Sequence, residues 1–211
     1  VNTVPIGVDP SEFTCLPSPS EFERLYPNVR DKYMVLFLGR LNRIKGLDIL
    51  IEGFSRASHN RNDLHLVIAG PDGGYEQTAR EIVKSEYLES KVSFTGPIYG
   101  ERKLAALSRA DVFALTSYGE GFSVALLEAM AASPPLIISK ECHFPQVAQS
   151  NAGLEISLDP QEFSSALTKI VADSSFLENM GSNARTMVTE SYSWNTVGVG
   201  FKEIYEQIRT K

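Results

Sequence analysis

Two stretches of this 211-residue sequence combine residue types that could handle a phosphorylated ligand. The first is Gly39-Arg40-Leu41-Asn42-Arg43-Ile44-Lys45-Gly46, in which three cations fall within six residues between an apolar run and a helical pattern. Arginine offers a planar fork of donors and lysine a compact charge. Both suit phosphate oxygens, and glycines at either end allow close backbone approach. A solvated surface loop has the same composition, so on this stretch alone both readings stand. The second is Ser117-Tyr118-Gly119-Glu120-Gly121-Phe122-Ser123, which runs into Val124-Ala125-Leu126-Leu127-Glu128-Ala129-Met130-Ala131. A Gly-rich turn opening a helix presents unpaired amides at the positive end of the helix dipole, and that is an anion site. Glu120 and Glu128 bracket it, which places them at most about 12 Å apart along the axis at ~1.5 Å per residue. Carboxylates that hydrolyse a glycosidic bond sit about 5–9 Å apart across it. This spacing suits one extended ligand instead, with a diphosphate at the helix N-terminus and a hydroxyl-bearing ring at each end. A sugar nucleotide fits that description, offering a ribose to one glutamate and a hexose to the other. Glu128, mid-helix among apolar residues, also reads as a buried carboxylate paired with a structural Arg or Lys.

Two further loops carry weaker signals. Gly70-Pro71-Asp72-Gly73-Gly74 could cradle phosphate, but a tight turn is the simpler reading. Thr95-Gly96-Pro97-Ile98-Tyr99-Gly100 could lay backbone groups against a nucleobase, although a strand exit uses the same residues. Cys142-His143 pairs two residue types with metal-ligand chemistry, but neighbouring residues point in different directions in most backbones.

These loops need a scaffold that aims them. Tyr33–Leu38 is a continuous apolar run ending in Gly39, as expected for a strand buried on both faces. Leu47, Leu50, Ile51 and Phe54 then form one stripe at helical spacing. The unit repeats: strands over Leu64–Ala69, 92–95, Val112–Leu115 and Leu136–Ser139, with helices over 75–86, 103–108 and 125–132. Such crossovers predict a mostly parallel, doubly wound α/β layer with helices on both faces and ligands beyond the carboxyl ends of its strands. Leu16-Pro17-Ser18-Pro19-Ser20 reads as a loop. Beyond the layer, Asp159-Pro160-Gln161-Glu162 has the form of an Asp N-cap, a first-turn proline and a Glu closing a capping box. It leads into Phe163, Leu167, Ile170 and Val171. Leu177, Met180, Ala184, Met187 and Val188 mark a second helix, and Val197, Phe201, Ile204, Tyr205 and Ile208 a third.

Composition narrows the function classes. With 20 Lys+Arg against 26 Asp+Glu the net charge is −6, and no basic run offers a footprint for nucleic acid. No apolar stretch approaches the ~20 residues of a membrane span. Two cysteines, Cys15 and Cys142, are too few for a disulfide framework and fit a reduced, cytoplasmic compartment. The first Met is Met34, yet residues 1–9 read as ordered sequence, so the chain is expected to be part of something longer.

The sequence as a whole resembles the nucleotide-sugar-binding half of the GT-B glycosyltransferases, specifically the retaining group 1 (family 4) enzymes. Three stretches carry the resemblance: Val4-Pro5-Ile6-Gly7-Val8-Asp9, Gly39-Arg40 with Lys45-Gly46, and Glu120-Gly121-Phe122 through Glu128-Ala129-Met130-Ala131 as an E-x7-E signature. It implies a single Rossmann-like donor domain over 1–211. It further implies a catalytic set in which Arg40 and Lys45 hold the diphosphate and Glu120 touches the donor sugar. Gly39, Gly121, Phe122, Ser123, Val124 and Leu127 would complete the donor pocket, and Glu128 would hold the ribose. Gly96, Pro97 and Ile98, with residues 87–91, would flank the base. The donor would be a UDP- or GDP-sugar, transferred with retention. No Asp-x-Asp occurs, so no metal is indicated and cations plus the helix dipole supply the electrophilic assistance. The family places the acceptor on a separate N-terminal domain, through which any peripheral membrane contact would run. A helix near 194–210 is expected to pack on that domain, and the 211 residues alone are expected to bind donor without turnover. Ser133 stands where the family favours glycine, and Glu141-Cys142-His143-Phe144-Pro145-Gln146 replaces a frequent glycine pair and glutamate.

Other classes fit less well. Gly121-Phe122-Ser123-Val124-Ala125 lacks the last glycine of a nucleophile elbow, and His143 lies two residues from the nearest acid, Glu141. No G-x-G-x-x-G marks a dinucleotide fold. A sugar-nucleotide epimerase of the same architecture and a non-catalytic interaction module remain as alternatives; the latter predicts no nucleotide affinity.

Overall fold

The apolar runs become strands of one sheet. The computed structural model describes residues 4–209; Val1 to Thr3, at the head of the expected ordered opening, and Thr210 and Lys211 lie outside the described residues. Strands β1 (Tyr33–Leu38), β2 (Leu64–Ala69), β3 (Val92–Gly96), β4 (Val112–Leu115), β5 (Leu136–Ser139) and β6 (Gly153–Ile156) lie in the order β3-β2-β1-β4-β5-β6. Every neighbouring pair is parallel, with Tyr33 opposite Leu64 and Phe113 opposite Leu136. All residues of β2, β4 and β5 are buried, which is why their sequences show no polar alternation.

Right-handed crossovers that step outward from β1 in one direction and from β4 in the other place helices on both faces. Helices α2 (Leu47–Ser58) and α3 (Glu76–Ser85) share one face, where α7 (Pro160–Val171) packs on α2. The other face carries α4 (Glu101–Arg109) and α5 (Val124–Ala132), with α1 (Pro19–Leu25) against α4 and α8 (Ser174–Ser191) against α5. The α2 stripe Leu47, Leu50, Ile51 and Phe54 is fully buried. Each such side chain contributes about 1.5–3 kcal/mol by leaving water.

The structure departs from the sequence reading in four places. A sixth strand, β6, extends the sheet beyond the five expected. Pro19 and Ser20 are the first turn of α1 instead of a loop, because proline's fixed φ is already helical and its missing N–H costs nothing at that position. The short helix α6 (Gln146–Gln149) was also not foreseen. At α7, Asp159 Oδ1 accepts from the Gln161 amide at 2.8 Å as an N-cap should, but Glu162 Oε2 takes the Ser157 amide at 2.7 Å, two residues short of the expected box partner. The last helix, α9 (Trp194–Arg209), leaves most of its apolar stripe in solvent: Phe201 is 43%, Tyr205 70% and Ile208 67% exposed. Among the described residues no helix is long and apolar enough to cross a membrane.

One buried titratable group makes stability pH-dependent. His65 on β2 is 2% exposed and meets Ser93 Oγ at 2.9 Å through Nε2. Burial, reinforced by the charge of Lys32, pushes its pKa from 6.5 down to about 4. The native imidazole is therefore neutral while an unfolded chain takes up a proton below pH 6.5. Because the unfolded state binds more protons in that window, stability falls as pH drops from 6.5 towards about 4 and levels off below it. The full loss is about 3 kcal/mol. Denaturant unfolding at a series of pH values is expected to show that slope in the native protein and a correspondingly flatter one in His65→Gln.

Candidate functional site

The strand order reverses direction between β1 and β4, so the loops that follow these two strands diverge and open a crevice at the carboxyl edge. The two strongest sequence stretches are those loops. After β1 the chain passes Gly39 and the exposed Arg40, makes a 3-10 turn over Arg43–Lys45, and enters α2 through Gly46 in the left-handed region at φ 62°. Gly46 is required there: a Cβ would lie 1.9 Å from the Thr116 carbonyl oxygen. Thr116 Oγ1 donates to Gly46 O at 2.8 Å and the Tyr118 amide donates to Ile44 O at 2.7 Å, which zips the two loops together. Tyr118 OH adds a 2.8 Å bond to Asp48 Oδ2 on α2. Burial and that carboxylate push the phenol up to about 12, so it stays a donor at neutral pH. A matching close approach joins β1 and β2: Gly70, at φ 150°, has room for no Cβ because Gly39 O would be 1.8 Å away.

This stitching brings Lys45 and Glu120, 75 residues apart in sequence, to 2.5 Å. Ser117 Oγ donates to the same Glu120 Oε1 at 2.6 Å. The Glu120 side chain is only 10% exposed and that of Lys45 19%, so the pair is weakly screened by solvent. Just past it, Ser123 caps α5 by accepting from the Leu126 amide at 3.3 Å, and the Leu127 amide bonds to Ser123 O. The amides of Val124 and Ala125 lie in the first turn, where no intrahelical partner exists. The Lys45–Glu120 pair thus stands three residues ahead of a capped helix N-terminus whose first amides are unpaired. The exposed Arg40 side chain has no hydrogen-bond or ion-pair partner among the described residues, which leaves its guanidinium available at the same edge. Phe122 is wedged against Phe144 and Tyr192, with ring centroids 5.7 and 5.9 Å away, which steadies the loop.

Glu128 lies one and a half turns into α5, and Lys103 of α4 reaches its Oε1 at 2.6 Å. The structural reading of Glu128, a carboxylate paired with a cation, therefore holds in this structure. Oε2 has no partner among the described residues, so the carboxylate keeps acceptor capacity. Gly96 ends β3, Pro97 is exposed and Ile98 is 4% exposed, at the same carboxyl edge. The Gly96 carbonyl is taken by the Gly70 amide at 2.9 Å.

Two sequence expectations fail on geometry. Leu127 is fully buried and its amide is bonded, so neither its side chain nor its donor can meet a ligand; it belongs to the core. Residues 87–91 precede β3, at the end of the sheet opposite Gly96, and Lys91 Nζ is bonded there to Ser58 O and Arg61 O, so they cannot flank a base at the carboxyl edge. At Gly70–Gly74 the simpler reading, a tight turn, is the one observed: Asp72 Oδ1 accepts from the amides of Gly74, Tyr75 and Glu76 at 2.8, 3.1 and 3.1 Å, which leaves those amides no part in a phosphate cradle. Those bonds hold the Asp72 carboxyl below the usual range. Ser123 spends its hydroxyl on the α5 cap, which removes what remained of a nucleophile elbow. Cys142 is buried against Ser139 and Leu115 O while His143 is exposed at φ 52°, so the two do not share a ligand. Ser133 ends α5 at φ 74°, a conformation that explains the family's preference for glycine there. Sequence reasoning missed Lys103 and the Tyr118–Asp48 bond, whose partners are fixed by packing between elements distant in sequence, and the bond that Ser117 makes to Glu120 within its own loop.

An all-parallel sheet of this order, with helices on both faces, is the Rossmann-like half of a GT-B fold, and solved structures agree. Sucrose-phosphate synthase from Thermosynechococcus elongatus superposes with a TM-score of 0.83 at 24% identity over 99% of this chain and 53% of that one. HepE from Anabaena, solved in complex with UDP and glucose, gives 0.82 at 20% identity over 97% of this chain and 56% of that one. The family model for glycosyl transferases group 1 matches residues 21–187, and the chain belongs to that family. A D-inositol 3-phosphate glycosyltransferase of Corynebacterium jeikeium is 28% identical over 218 residues, covering 99% of this chain and 52% of that protein. An uncharacterized glycosyltransferase of Methanocaldococcus jannaschii is 28% identical over 205 residues, covering 95% and 52%. The chain spans about half the length of the curated relatives it matches.

Proposed function

We propose that this chain is the donor-binding half of a retaining glycosyltransferase that takes a hexosyl unit from a nucleoside diphosphate sugar to a hydroxyl acceptor. The observation that carries the reading is the meeting of Lys45 and Glu120 at 2.5 Å, three residues ahead of the Ser123 cap of α5 and on the two loops between which the strand order reverses. The diphosphate lies against the Val124 and Ala125 amides, with Arg40 and Lys45 on its oxygens and Gly39 and Gly121 leaving room for it. As the bond between the anomeric carbon and the phosphate oxygen breaks, negative charge grows on the leaving diphosphate, and these preorganised cations and amides stabilise it. Glu120, already tied to Lys45 and Ser117, accepts hydrogen bonds from donor-sugar hydroxyls and balances positive charge near the anomeric carbon. Its role is electrostatic and hydrogen-bonding. Phe122 and Ser123 shape the loop beside the sugar. The ribose hydroxyls meet Glu128 through its unpartnered oxygen, and the base lies along Gly96, Pro97 and Ile98.

Cations and the helix dipole supply the charge neutralisation, so binding needs no metal in this account. The relatives are about twice as long, and we assign acceptor binding, and any contact with a membrane surface, to the part of such enzymes that this chain does not match. The chain alone then binds donor without turnover. UDP is the first nucleotide to test, since HepE, which shares the fold, was solved with it; GDP and ADP follow. A nucleotide at 100 times its dissociation constant stabilises the native state by about 2.7 kcal/mol. For a chain of this size that raises the melting temperature by roughly 5–10 °C. A thermal-shift series with the three diphosphates and their sugars is expected to show that rise for one base. No rise with any of them at millimolar concentration defeats the proposal and favours an interaction module.

A further inference from the structure

Basic side chains with no part in the donor reading converge at the opposite end of the sheet. There a cavity of about 380 Å³ is walled by three connections: Asn28, Arg30 and Lys32 ahead of β1, Asn62 and His65 around the start of β2, and Ser90 and Lys91 ahead of β3. No carboxylate lines it. Asp63, next to Asn62 in sequence, is held by two bonds from Arg61 at 2.9 and 2.5 Å. Lys91 Nζ donates to Ser58 O at 2.6 Å and Arg61 O at 2.9 Å, and Lys32 Nζ to Asn62 O at 2.5 Å. These bonds fix both ammoniums in the wall and leave each with donors to spare, since an ammonium has three.

The remaining wall groups are donors without tasks. The Arg30 guanidinium, the side-chain amides of Asn28 and Asn62 and the Ser90 hydroxyl have no partner among the described residues. The carbonyl end of α2 faces this region with only about half a negative charge, against three full cations. In a chain of net charge −6, an acid-free wall of this kind is a local reversal of sign.

We propose that this cavity binds a phosphoryl dianion carried on a small soluble molecule, with the phosphoryl group between the Arg30 fork and the ammoniums of Lys32 and Lys91. A guanidinium binds such a group through two parallel bonds, and lysines add charge. The volume falls within the roughly 300–1,000 Å³ of small-molecule sites, so an organic body fits beside the phosphoryl group. A concave wall suits a small molecule better than a flat membrane surface. The site is independent of the donor reading and lies at the other end of the sheet.

His65 lines the cavity and reports on it. Its ring resonances are followed by NMR while inorganic phosphate is titrated at constant ionic strength, with chloride as control. The expected result is a saturable shift specific to phosphate, weakened about tenfold in Arg30→Gln and in Lys32→Gln, as for loss of one charge-assisted contact. Arg30 is exposed, so its variant is expected to fold; should it not, Lys32→Gln carries the comparison. The absence of a saturable shift, or one unaltered in both variants, overturns the proposal. So does Arg30-dependent sedimentation with phosphatidic acid vesicles in the absence of a response to phosphate, which would make the occupant a lipid surface.

Discussion

Lys45→Ala is expected to weaken nucleoside diphosphate binding by about 10- to 150-fold, the 1.5–3 kcal/mol typical of a hydrogen bond to a charged group. Lys45 is the cation of the β1 loop that is tied to the loop leading into α5, its ammonium fixed by Glu120 at 2.5 Å. Removing it also leaves Glu120, 10% exposed, with Ser117 as its only side-chain partner among the described residues, so the variant loses stability as well. The double variant Lys45→Ala/Glu120→Gln separates the two effects. Neutralising the orphaned carboxylate is expected to return stability towards that of the native chain while binding stays weak. Calorimetric titration with the preferred nucleotide, paired with denaturant unfolding, reads both quantities. Recovery of affinity in the double variant would mean that Lys45 only neutralises Glu120 and does not meet the ligand.

Gly46→Ala is expected to be among the most destabilising single substitutions in the chain, at least about 3 kcal/mol. Its φ of 62° alone costs a residue with a Cβ about 1–2 kcal/mol. The added Cβ would also stand 1.9 Å from Thr116 O, so the β4 loop must move, breaking the Thr116 bond to Gly46 O. Gly74 is the control. Its φ of 91° is also positive, but a Cβ there would meet no atom within 4 Å, so Gly74→Ala is expected to cost only the backbone term. Gly46→Asn tests the same point: asparagine tolerates the left-handed region but still carries the offending atom, and it is expected not to rescue. Urea unfolding of the three variants checks the order. Equal losses at 46 and 74 would show that backbone conformation, not contact with Thr116, sets the cost.

The scaffold was legible wherever burial on both faces removes polar alternation, as in Leu64–Ala69 and Val112–Leu115. It was not legible at β6, where Gly153-Leu154-Glu155-Ile156 is short, half-exposed at its centre and carries an acid, as an edge strand can. The α1 start was hidden by reading Pro19 as a breaker when it occupies the one turn that tolerates it. The two site loops were legible because glycine and charge cluster at strand exits, but their partners were not. Nothing in periodicity says that Lys103 finds Glu128 across the α4–α5 contact, or that Ser117 and Lys45 share one oxygen of Glu120. Residues 87–91 were misplaced because they follow a helix and precede a strand, which in a parallel sheet sends them to the amino edge.

A structure of the chain with UDP, or with whichever diphosphate gives the larger thermal shift, tests the central claim most directly. The account predicts the diphosphate against the Val124 and Ala125 amides within hydrogen-bonding distance of Lys45, the ribose at Glu128, and the base along Gly96 to Ile98. A nucleotide bound away from the crevice between β1 and β4, or one whose diphosphate touches neither Lys45 nor the first turn of α5, would contradict it.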